Sequence, residues 1–92
     1  MIYEYPAVIS YSKYDKVYYV DFPDMSNCFT DGMTLREALD NAEDVLNLML
    51  SYKEEQGEAM PQSSDLNSIK LGSGEIVALV KTDTASYSQI AV

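Results

Sequence analysis

The run Phe22-Pro23-Asp24-Met25-Ser26-Asn27-Cys28-Phe29-Thr30-Asp31-Gly32-Met33-Thr34-Leu35-Arg36-Glu37-Ala38 constrains this chain most, because it joins a strand end, a tight turn and a capped helix start. Asp31-Gly32 is a strong turn dipeptide, and Thr34 with Glu37 three places on has the spacing of a capping box. The helix that opens there is predicted over residues 35–52, with Gly57 and Pro61 beyond its end. At 100° per residue, Leu35, Ala38, Leu39, Ala42, Leu46, Met49 and Leu50 form one apolar stripe. Arg36, Asp40, Glu43, Asp44, Asn47 and Ser51 are expected opposite it, in solvent. Val45, Leu48 and Tyr52 lie to one side, where they either widen the core contact or line a groove for a partner.

Upstream, residues 2–11 and 17–22 are rich in β-branched and aromatic side chains and are separated by Lys13-Tyr14-Asp15-Lys16, the pattern of a hairpin. Alternation places Tyr18, Val20 and Phe22 in the core, and Val17, Tyr19 and Asp21 on a face that is open or covered by a partner. A short third strand is expected at residues 28–30. The polar stretch 54–74, punctuated by glycine and proline, reads as a connection with a helical turn near residues 65–68. Residues 75–81 are apolar without alternation, which predicts a fourth strand, central and covered on both faces. The expected architecture is α+β: a small three-to-four-stranded sheet with one main helix on one face, in the order β-β-β-α-β.

A chain of 92 residues with 47% hydrophobic content supports one domain with one modest core. No apolar run is long enough for a membrane span, and no secretory signal is recognisable, so the default location is cytoplasmic. The single cysteine, Cys28, has no internal disulfide partner and is expected to be buried in a strand. Fifteen acidic and six basic residues give a net charge of −9, which repels nucleic acid and favours a basic protein partner.

The chain has no histidine, so the commonest general base and the commonest zinc ligand are both missing. No catalytic, cofactor or metal residues are assigned. Glu4, Glu43 and Asp83 form a conceivable magnesium-binding set, but so many carboxylates generate such triples by chance. The eight tyrosines are too many for so small a core, and tyrosine suits interfaces because it buries a ring while offering a hydroxyl. A partner-binding surface is therefore expected at Tyr14, Asp15, Tyr19, Asp21 and Asp24, on the hairpin and the sheet face that the helix leaves open.

The run 22–38, with Tyr5-Pro6-Ala7-Val8-Ile9 before it and Gly57-Glu58-Ala59-Met60-Pro61 after it, resembles the N-terminal domain of the HicB-type antitoxins. Ser26-Asn27 stands where that family usually has Pro-Gly, and asparagine tolerates the positive φ the turn requires. The resemblance implies a partial ribonuclease H-like fold. It also implies an antitoxin that occludes a small basic HicA-type mRNA endoribonuclease, is not itself an enzyme, and forms homo-oligomers. Residues 1–92 would then be a single toxin-binding domain, with no direct nucleic-acid binding and without the DNA-binding module the family commonly carries. Residues 86–92 have the composition of a chain entering a further element, so truncation at Val92 is expected. A stand-alone domain without a toxin and a metal-dependent nuclease are the competing readings.

Overall fold

The structure, a computed structural model, describes residues 1–85; Tyr87 and the continuation expected at 86–92 lie outside the described residues. Strand β1 spans Ile2–Ser12, β2 Val17–Asp21, β3 Phe29–Gly32 and β4 Glu75–Asp83, and helix α1 spans Leu35–Gln56. The sheet is antiparallel in the order β3-β2-β1-β4. The long β1 lies at its centre, pairing with β2 through residues 8–12 and with β4 through residues 2–10. Pro6 is tolerated in this strand because β2 ends at Asp21, opposite Val8, so among the described residues no strand pairs with β1 on that side at Pro6.

The expected order is observed, with two departures in the sheet. β4 is an edge strand, not a central one, and Ile76 and Leu79 are 54% and 47% exposed. The helix covers the side of β4 that carries Val80 and Thr82, while its outer edge has no strand partner among the described residues. The second departure is at Gly32, which lies within β3 and has no positive φ. A Cβ there would stand 2.3 Å from Ala38 N, so glycine serves the close approach of helix and strand. The positive φ of this region falls at Asn27, at 59°, which is how the turn is made without the family's Pro-Gly.

Helix α1 starts as its sequence dictates. Thr34 Oγ1 accepts from Glu37 N at 3.1 Å, and Glu37 Oε1 accepts from Met33 N at 3.0 Å, one residue ahead of the usual reciprocal partner. The helix runs a turn further than expected and ends at Gly57, left-handed at φ 69°, whose N–H reaches Glu54 O while Glu58 N reaches Lys53 O.

Ala38, Ala42, Leu46 and Leu50 bury the stripe against Tyr5, Ala7, Ile9, Val20, Phe22 and Val80, with Met25 and Cys28 closing one end. Tyr18 packs on this core from its margin, as do Leu39, Val45 and Met49. Four helix residues correct the periodicity reading. Leu35, placed on the stripe, is 39% exposed in the first turn, Asn47 is only 2% exposed rather than solvated, and Leu48 and Tyr52 are exposed, so only Val45 widens the core contact.

Candidate functional site

The 57–74 connection carries the chain from the end of α1 to the sheet face that the helix leaves open. Tyr5 donates its hydroxyl to Pro61 O, and Met60 packs against the core, which pins the first part. The Asp24 carboxylate accepts from Ser64 N at 2.8 Å and from Ser64 Oγ. The short 3-10 turn Leu66–Ser68 follows, and Glu75 Oε1 accepts from Gly72 N at 2.6 Å where β4 begins.

Between this strap and the sheet is a cleft of about 550 Å³. Tyr19, Asp21, Asp24, Phe29, Lys70 and Glu75 are among its walls. Register explains the grouping, because cross-strand partners project from the same face of a sheet. Asp21 pairs with Phe29 on one side and Val8 on the other, and Tyr19 pairs with Asp31 and Ser10. The cleft thus presents three carboxylates and two aromatic rings against a single lysine.

The five residues expected at a partner surface divide accordingly. Tyr19, Asp21 and Asp24 line the cleft. Asp15 lies outside but is tied to it, since Tyr19 Oη donates to Asp15 Oδ2 at 2.6 Å. That bond holds the Tyr19 proton and pushes its pKa up. Tyr14, 99% exposed at the hairpin tip, stands apart. Phe29, Lys70 and Glu75 were not anticipated. Phe29 was legible, because an inward Cys28 requires an outward neighbour. Nothing local in the sequence brings Lys70 or Ser64 to the same face.

Glu4 and Asp83 project from the open face, opposite Lys81 and Ile2, whereas Glu43 is on the helix across the sheet. Among the described residues no group of three or more Asp, Glu or Cys is placed to hold a metal ion. Cys28 is fully buried, and burial, with Asp21 nearby, pushes its thiol up to about 11. Among the described residues no helix is long and apolar enough to cross a membrane.

A small antiparallel four-stranded sheet with one main helix across one face is the fold of the N-terminal domain of HicB antitoxins. The chain belongs to that family, matching over residues 5–92 the model described as the HicB-like antitoxin of bacterial toxin-antitoxin systems. Among solved structures it is similar to a chain of a toxin-antitoxin complex from Streptococcus pneumoniae, at 26% identity and a TM-score of 0.86, over 95% of this chain and 73% of that one. It is also similar to a chain of the HicA3 and HicB3 toxin-antitoxin complex, at 25% identity and a TM-score of 0.68, over 90% and 99%. The fold is shared with the N-terminal domain of Burkholderia pseudomallei antitoxin HicB, at 24% identity and a TM-score of 0.76, over 88% and 99%. A comparison with curated protein sequences returns no match.

Proposed function

We propose that this chain is an antitoxin that docks on a small basic HicA-type mRNA endoribonuclease and covers its catalytic surface. The observation that carries the reading is the acidic, aromatic cleft on the open sheet face of a HicB-family domain. Side chains that hold RNA phosphates are cationic, so a surface of carboxylates and rings competes for them directly. Occlusion requires no chemistry from the inhibitor, which accords with a chain without histidine. A net charge of −9 also opposes nucleic-acid binding by this segment and steers a basic protein toward it.

Calorimetric titration against a small basic HicA-type toxin, at low and high ionic strength, tests the proposal. Binding that weakens as salt rises is expected. Indifference to salt would remove charge complementarity from the mechanism, and no association at all would remove the antitoxin reading. In parallel, the pure chain with RNA and magnesium should give no cleavage. Cleavage that disappears in Glu4→Gln or Asp83→Asn would establish an enzyme instead.

A further inference from the structure

The two edges of the sheet are protected very unequally. β3 is four residues long and ends in glycine against the helix. β4 is nine residues long, and its stretch 76–80 has neither charge nor proline. A long apolar edge offers a row of unpaired N–H and C=O groups to any second strand, and monomeric proteins normally interrupt such an edge. Ile76 and Leu79 are exposed along it, one toward the helix side and one toward the open face.

We propose that β4 is a self-association edge on which two copies of this chain pair antiparallel about a two-fold axis at Ala78. The two four-stranded sheets then form one continuous sheet. The charges of β4 select this register. Centred on Ala78, Glu75 stands opposite Lys81 of the second copy at both ends, and the uncharged residues 76–80 of the two copies face one another. Centred one residue later, on Leu79, Glu75 would stand opposite Asp83 at both ends, and like charges directly opposite are destabilising. Lys81 already pairs in register with Glu4 of β1, so the Ala78-centred dimer places it between two carboxylates. Alanine at the axis also suits the point where identical side chains meet. With the axis perpendicular to the sheet, both helices lie on one side and both clefts on the other, open to partners. The inference is independent of the antitoxin reading.

Sedimentation equilibrium of the full chain, with Glu75→Lys, Lys81→Glu and the double exchange, tests the pairing. The unaltered chain should be a reversible dimer. Each single reversal should weaken it by about tenfold, because two symmetric attractions become two repulsions, and the double exchange should restore it. Glu75 also holds Gly72 N–H, so Lys81→Glu is the cleaner single variant. Ile76→Lys, at an exposed position, should give a monomer with an unchanged far-UV spectrum. A chain that stays monomeric at every concentration, or a dimer that neither reversal touches, would overturn the proposal. So would a Glu75→Lys variant that tightens the dimer, as the Leu79-centred register demands.

Discussion

Asn47 Nδ2 donates to Thr82 Oγ1 at 2.8 Å across the helix–sheet interface, and both residues are only 2% exposed. The same amide reaches Asp83 O at 3.1 Å, and Ser51 Oγ donates to Asn47 Oδ1 at 3.1 Å. This closed polar cluster fixes where α1 crosses β4, which apolar contacts alone specify loosely. Asn47→Leu conserves volume but strands Thr82 and the Asp83 carbonyl. It should cost about 1–3 kcal/mol in urea denaturation. Adding Thr82→Val should recover part of the loss, because removing both partners of a buried bond is cheaper than removing one. A neutral Asn47→Leu would show the cluster to be dispensable.

Gly32→Ala should be among the most damaging small substitutions. Its Cβ would lie 2.3 Å from Ala38 N and 2.7 Å from Ala38 Cα, and both are backbone atoms that move only with the helix. A cost of about 3 kcal/mol is expected, the upper end of ordinary overpacking. Gly57→Ala is the control. Its Cβ meets nothing within 4 Å, so only the left-handed backbone opposes it, at about 1 kcal/mol. Equal losses in thermal or chemical denaturation would refute the close-approach account.

The helix start, the hairpin and the sheet's inward residues were legible because each is written in local spacing: Thr34 to Glu37, and the alternation of Tyr18, Val20 and Phe22. Two features misled. An apolar run such as 75–81 signals burial, yet here it marks a strand with one unpaired edge, and periodicity carries no information about sheet order. Asparagine at position 47 reads as solvated on polarity alone, and its burial depends on Thr82, a distant partner no helical pattern reveals. The cleft was half legible. Tyr19 and Asp21 follow from strand parity, whereas Lys70 and Ser64 reach it only through the path of the 57–74 strap.

Tyr3 Oη donates to Glu54 Oε2 at 2.7 Å, tying β1 to the last turns of α1. The bond pushes the Tyr3 phenol up to about 12 and lowers the Glu54 carboxyl below its ordinary value of 4.5. The depressed carboxyl stabilises the fold above its unfolded pKa, and that contribution is lost as pH falls through the folded value. The raised phenol stabilises it below 10, and that contribution is lost as pH rises toward 12. Stability measured against pH should therefore decline at both limits, and Tyr3→Phe should flatten both declines. A variant with an unchanged pH profile would show that solvent screening leaves this exposed pair without effect.

The proposed docking surface is tested by separating cleft residues from the rest of the hairpin. Tyr19→Ala with Asp21→Asn removes a ring and a charge from adjacent positions of β2 and should loosen the complex with the basic toxin by about 1–3 kcal/mol if they sit at its centre. Tyr14→Ala, at the fully exposed hairpin tip outside the cleft, should change affinity by less than about 0.5 kcal/mol. Asp24→Asn is a different probe, since that carboxylate also anchors Ser64, and its variant should loosen the 57–74 strap along with the complex. Hydrogen exchange at Ser64 in the free chain separates the two effects. Unchanged affinity in the Tyr19 and Asp21 variant, with an intact far-UV spectrum, would place the interface elsewhere. The outer face of α1, where Leu48 is 72% exposed beside Tyr52, is then the surface to vary.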